Sequence, residues 1–274
     1  MVDNAGTLYI LNDTLEPVHK LESMNTSQKH AVYEVIRIIK RVPLFLEDHY
    51  VRLKRSLNLL GLDLNITIQT LKQQIQKLVD ANQQLNCNVK VMIYSESDIQ
   101  NCFLYISKSY YPSMQEINAG VPVHLVYLER ENPNVKLMNQ TYKDIVNKKI
   151  KANNVFEVLL VNSKNKITEG SRSNVFFVKG SNVFTTPSEY ILKGITRQYI
   201  IDTCKKIGLT VVETLTSVDE LCELEGVFIS GTSIKVLPVS NVDAYRYNSS
   251  VHPTITAIRD AFDKLIDDYI DKHK

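Results

Sequence analysis

The period of the hydrophobic positions changes several times along the chain, and each change marks a predicted element. Leu8-Tyr9-Ile10-Leu11 reads as a first strand. Apolar and β-branched residues over 31–39 and 43–46 flank a turn at Lys40-Arg41 and predict two strands. The spacing then becomes helical. Val51, Leu53, Leu57 and Leu60 predict a helix over about 48–60, with Gly61 placed to stop it. Thr67 can cap a second helix running to about Asn82. Residues 88–94 and 102–106 return to strand character.

The stretch 107–120 carries Pro, Ser, Asn and Gly with little periodicity, and is the best linker candidate. Beyond it, strands are predicted over 121–128, 155–161, 167–178, 183–186, 209–213, 226–230 and 235–242. Helices are predicted over 140–152, 195–207 (stopped by Gly208) and 253–272, the last with Pro near its first turn. Ser217-Val218-Asp219-Glu220 matches a capping box opening a short helix. Strands cluster as antiparallel-looking sets with helices between the sets, which predicts an α+β fold rather than a doubly wound parallel sheet. No repeat or low-complexity tract is visible.

Composition narrows the classes. With 274 residues the chain can bury a good core and split into two domains. A net charge of +2 gives no electrostatic footprint for nucleic acid or a membrane surface. The apolar runs fall far short of the roughly 20 residues that span a bilayer. Met1 is followed by no basic or apolar leader, so the expectation is a soluble cytoplasmic protein. Cys87, Cys102, Cys204 and Cys222 form no CxxC pair and read as buried free thiols. The six histidines show no metal-ligand spacing, so no metal site is expected.

The candidate chemistry lies in the second half. Thr168-Glu169-Gly170-Ser171-Arg172-Ser173-Asn174 places an acid, a glycine and a polar run between strand-like segments. Leu192-Lys193-Gly194-Ile195-Thr196-Arg197 is a glycine-bearing loop that opens a helix. Glu169 alone would read as a solvated acid at a strand end, and Gly194 alone as a plain helix start. Together they look like a carboxylate and an anion cradle, because the first amides of a helix are unpaired and point at an anion. Such a pair suits pyridoxal phosphate, which has a basic ring nitrogen at one end and a phosphate at the other. That cofactor also needs a lysine amine for a Schiff base. Ser230-Gly231-Thr232-Ser233, at a strand exit, can bring amides and hydroxyls onto a ligand; alone it reads as a tight turn.

These segments resemble the fold-type IV (class IV) pyridoxal phosphate enzymes: branched-chain aminotransferases, D-amino acid aminotransferases and 4-amino-4-deoxychorismate lyases. Tyr33-Glu34-Val35-Ile36-Arg37, the stretch Leu46-Glu47-Asp48-His49-Tyr50-Val51-Arg52-Leu53, and Leu237-Pro238-Val239 extend the likeness over about 33–242. The resemblance implies a two-domain α+β fold: a small N-terminal sandwich-like domain over 1–110, a linker over 111–120, and a larger C-terminal pseudo-barrel over 121–274 that binds the cofactor. It implies that Glu169 pairs with the ring nitrogen. Arg52, Gly194, Ile195, Thr196 and Thr232 would hold the phosphate, with Ser173 adding a contact. Leu192 would pack on the ring, and Tyr33 would lie beside the substrate. Lys136-Leu137-Met138-Asn139 fits the family's K-x-x-N segment, which makes Lys136 the Schiff-base lysine and general base. Lys143, Lys148 and Lys149 read as the solvated face of the following helix.

Two departures stand out. The stretch 91–100 lacks the arginine that traps a carboxylate in many D-amino acid aminotransferases, and Gln28-Lys29-His30-Ala31 replaces the usual glycines. Arg37, Arg130 and Arg172 remain as other cations. The expected activity is transfer of an amino group between an amino acid and a 2-oxo acid by a homodimer. A lyase giving 4-aminobenzoate and pyruvate, and a catalytically silent cofactor binder, are the alternatives.

Overall fold

The computed structural model describes residues 3–23, 31–96 and 99–274. They gather into two compact units: 1–110 with 135–140 and 268–274, and 111–134 with 141–267. Gln28 to His30 and Ser97-Asp98, part of the two departures above, lie outside the described residues.

The first unit is an antiparallel sheet covered on one face by helices. Its strands are β1 (Asn4–Leu11), β2 (Thr14–Pro17), β3 (Val32–Ile39), β4 (Val42–Pro43), β5 (Cys87–Glu96) and β6 (Ile99–Ser107), in the order β2-β1-β6-β5-β3-β4. Side chains alternate between faces along each strand. Val32, Ile36 and Ile38 of β3 and Val89, Val91 and Ile93 of β5 face α1 (Leu46–Asn58) and α2 (Ile68–Ala81), packing on Leu53, Leu57, Leu71, Ile75 and Leu78. The cross-strand register puts Tyr33, Lys90, Met92, Phe103 and Tyr105 on the opposite face. Thr67 caps α2, its hydroxyl accepting from the Thr70 amide at 3.1 Å.

Two local expectations change. Residues 43–46 are not a strand: β4 ends at Pro43, and Phe45 takes a left-handed conformation (φ 55°) as α1 begins at Leu46. The run is apolar because turn and first helical residue are both buried, which periodicity cannot tell from a strand. Val51 and Leu60, expected in the buried stripe, are 64% and 38% exposed; Leu53 and Leu57 carry the packing.

In the second unit the chain runs α3 (Met114–Ala119), β7 (Val121–Tyr127), α4 (Gln140–Asn153), β8 (Glu157–Val161), β9 (Ile167–Gly170), β10 (Asn174–Lys179) and β11 (Asn182–Thr185). It continues through α5 (Ile195–Lys206), β12 (Thr210–Glu213), β13 (Gly226–Gly231), β14 (Lys235–Val242), β15 (Tyr245–Arg246) and α6 (Pro253–His273), whose residues from 268 on belong to the first unit. The sheet order is β12-β11-β10-β13-β14-β7-β8-β9, with β15 beside β14. The sheet curls until its ends meet. The Ile167 amide on the β9 edge donates to Thr216 O at 2.9 Å, and Lys166 bridges Ser217, just past β12. Apolar runs in β8, β10 and β13 are buried along nearly their whole length, as strands covered on both faces require.

Pairing in this unit is more parallel than the clustering of strands predicted. β7 runs parallel to both β8 and β14, and β11 parallel to β12. The β7–β8 pair needs a crossover, and α4 supplies it. The stretch 107–120 is not structureless, since α3 lies within it, capped reciprocally by Ser113 and Glu116. Burial pushes the thiols of Cys87, Cys102 and Cys204 up to about 11, 12 and 12. Cys222, expected to be buried as well, is exposed, on a short 3-10 helix that turns Leu221 inward instead. No helix among the described residues is long and apolar enough to cross a membrane.

Candidate active site

In the second unit Glu169 lies near the end of β9 and is buried. Its Oε1 accepts from Arg130 Nη1 at 2.9 Å and its Oε2 from the Leu192 amide at 3.2 Å. A buried carboxylate needs such partners to stay ionised. Leu192 is held in turn: its carbonyl accepts from Asn174 Nδ2 at 3.1 Å. Gly194 is the N-cap of α5 and offers no side chain to the helix's first amides. A Cβ there would stand 2.1 Å from Asn174 Oδ1, so only glycine lets the loop close on Asn174. Ile195 and Thr196 follow as the first helical residues. Arg197 is fully buried, its Nη2 donating to Thr186 O and Glu213, both at 2.8 Å.

The corner between β9 and β10 is pinned from below. Glu157, buried on β8, accepts from the hydroxyls of Ser171 and Ser173 and from the Arg172 and Val158 amides. The Ser173 hydroxyl thus points at Glu157, 3.2 Å away. A Cβ on Gly170 would stand 2.0 Å from Ser173 Oγ, so the corner is tight. Asn174 pairs with Ser230 across β10 and β13, which brings the Gly231-Thr232 exit alongside this corner.

In the first unit, residues 136–138 add an edge to β3. The Tyr33 amide donates to Lys136 O at 3.1 Å, the Met138 amide to Ala31 O at 3.0 Å, and Leu137 bridges Val32. This register sends Lys136 to the Tyr33 face, its Nζ 5.0 Å from the Tyr33 ring centroid. Lys90 Nζ stands 4.8 Å from the same centroid. Lys143, Lys148, Lys149 and Lys151 are exposed on α4.

Behind β3 lies a buried charge cluster. Arg52 donates to Glu34 through Nε at 2.7 Å and Nη2 at 2.6 Å, a two-point grip that fixes the guanidinium plane. His49 Nδ1 contacts the same carboxylate at 2.7 Å. Burial would raise Glu34, but the Arg52 charge and the hydrogen bonds from Arg52 and His49 outweigh it and hold the carboxyl well below the usual range. Burial, reinforced by the charges of Arg52 and Lys136, lowers His49 against the pull of Glu34.

Each unit holds its own groups: an amine beside an aromatic ring in the first, a buried ion-paired carboxylate and an uncapped helix start in the second. Comparison with known proteins gives the family. The family model for amino-transferase class IV matches residues 31–242. D-alanine aminotransferase of Bacillus licheniformis is 28% identical over 249 residues, covering 82% of this chain and 83% of the relative. Escherichia coli branched-chain amino acid aminotransferase matches with a TM-score of 0.84 at 20% identity, covering 95% of each chain. A T.th. branched-chain amino acid aminotransferase complexed with N-(5'-phosphopyridoxyl)-L-glutamate matches with a TM-score of 0.84 at 19% identity, covering 96% of this chain and 95% of that one. The chain belongs to the class IV aminotransferases, and its fold is theirs. These similarities favour amino transfer over the lyase alternative.

Some residues of the site carry no clear mark in the sequence. Glu157 looks like an ordinary polar residue until the folded corner is seen, and Asn174 and His49 lie in family-like segments that gave them no role. Lys90 leaves a signal, since it is the one charge in the strand-like run Val89-Lys90-Val91-Met92-Ile93-Tyr94. Arg130, one of the spare cations of the sequence, grips Glu169.

Proposed function

We propose that the chain moves an amino group between an amino acid and a 2-oxo acid with pyridoxal phosphate as cofactor, and that one of its substrates is a dicarboxylic acid. The cofactor reading is carried by the buried Glu169 carboxylate, gripped by Arg130 and the Leu192 amide, and the dicarboxylic acid by the Lys90 ammonium 4.8 Å from the Tyr33 ring centroid. The donor set fits the cofactor. An ionised carboxylate suits a protonated ring nitrogen, and the uncapped start of α5 suits a phosphate. Ser230 Oγ is buried with no hydrogen-bond partner among the described residues, which leaves a hydroxyl for a ligand.

Bound pyridoxal phosphate supplies an aldehyde that takes up the amino group and a ring that spreads the electrons released at the α-carbon. Lys136 would hold the aldehyde, Glu169 the ring nitrogen, and Leu192 would pack on the ring. Gly194, Ile195, Thr196, Thr232 and Arg52, whose guanidinium plane Glu34 fixes, would hold the phosphate. Ser173, through Glu157, keeps the corner in place. Arg130 would hold the Glu169 carboxylate in place for the ring nitrogen. Lys136 Nζ would carry the proton taken from the α-carbon. Tyr33 lies beside the substrate. Lys90 takes a substrate carboxylate, the role for which stretch 91–100 offers no arginine. The working assembly, by the same likeness, is a cytoplasmic homodimer.

The test is the visible spectrum of the protein incubated with pyridoxal phosphate. A yellow band is expected, bleached by glutamate and restored by a 2-oxo acid. Lys136→Ala should lose both band and turnover. A wild-type protein that develops no band would overturn the reading.

A further inference from the structure

The Tyr33 face of the first unit's sheet also carries Asp3, close beside Lys90. Its Oδ1 accepts from the Tyr105 hydroxyl at 2.6 Å and lies 3.7 Å from Lys90 Nζ. Its carbonyl accepts from the Lys108 amide at 2.6 Å, and the next residue, Asn4, pairs with Ser107. Main chain and side chain together therefore hold Asp3 against β6. The Lys90 side chain is only 8% exposed, and its ammonium sits between the rings of Tyr33 and Tyr105, 4.8 and 5.7 Å from their centroids. Lys136 Nζ lies 5.0 Å from that same Tyr33 ring, so the amine proposed for the aldehyde and the Lys90 ammonium flank one ring.

An aminotransferase cycle asks one pocket to take two different side chains in turn. If one side chain carries a carboxylate and the other does not, a buried ammonium serves the first and rejects the second, because a desolvated charge without a counter-charge is costly. Asp3 answers this. It is close enough to balance Lys90, yet its side chain is 38% exposed and meets Lys90 at 3.7 Å, without the two-point grip that Glu34 has on Arg52. A ligand carboxylate can take over the neutralising of Lys90 from so loose an ion pair, and Asp3, held in place, does it when the ligand has none.

We propose that Asp3 is a specificity-setting residue that acts through Lys90, its carboxylate standing in for that of the substrate whenever the bound side chain is uncharged. This rests on the reading above, in which Lys90 faces the substrate. In the cofactor-loaded protein, calorimetry with glutarate and valerate, unreactive acids of equal chain length, reads the effect directly. Asp3→Asn should tighten glutarate by about two- to fivefold, the range of a partly exposed ion pair, and should leave valerate unchanged or weaker. Lys90→Met should abolish the preference for glutarate, and adding Asp3→Asn to it should change nothing further. An unchanged glutarate-to-valerate ratio in Asp3→Asn would overturn the proposal, as would an Asp3→Asn effect that persists without Lys90. Asp3 is at the surface, so its variant decides the matter even if Lys90→Met folds poorly. Failure of the aminotransferase reading would look different: the wild type would form no yellow band.

Discussion

Glu34 serves two buried partners at once, and this gives the first unit a definite pH response. His49 is held neutral by burial, below its ordinary range. As pH falls from about 7 to about 5, the unfolded chain takes up a proton at this histidine before the folded chain does, so stability falls. Glu34, whose folded carboxyl lies well below the usual range, contributes fully above the ordinary carboxylate range and loses that contribution only at lower pH. The urea midpoint should therefore drop between about pH 7 and about pH 5, and His49→Gln should flatten that drop. An unchanged slope in the variant would contradict the assignment. At this scale the sequence was partly legible. Tyr33, Lys136 and Glu169 were marked by family-like motifs. Asp3 and Glu157 were not, and Lys90 showed only as a lone charge in an apolar strand-like run, because their roles depend on which strand lies opposite, and register is not written in local composition.

Among the elements, the corner between β9 and β10 carries the most weight for the site. Glu157 alone satisfies two serine hydroxyls and two amides there. Glu157→Ala would strand those donors, at about 1–3 kcal/mol for each one left buried and unpaired. A lower melting temperature is expected together with lost turnover, while Glu157→Gln, which keeps an acceptor, should recover part of both. Full activity in Glu157→Ala would show that the corner does not depend on it. Most elements were legible here because their signals are local: Thr67 before α2, Gly208 (φ 80°) after α5, the capping box at Ser217. The failures were also local. The run 43–46 is apolar for reasons other than strand pairing, and the linker-like composition of 107–120 hid a short helix opened by Ser113 and Glu116.

For the whole molecule, the least legible feature was the return of residues 135–140 to the first unit. Nothing in their composition announces it. It follows from the edge of β3, where the Tyr33 and Met138 amides find carbonyl partners across the two segments. The consequence is chemical, since that pairing is what sends Lys136 to the face that carries Tyr33 and Lys90. Two lysines flanking one ring make the central claim sharply testable. The protein should be incubated with pyridoxal phosphate, reduced with borohydride to fix the cofactor to the amine it has joined, digested, and read by mass spectrometry. The phosphopyridoxyl group should be found on the peptide containing Lys136. Finding it on Lys90, on another lysine or on none would contradict the assignment of Lys136 as the reactive amine.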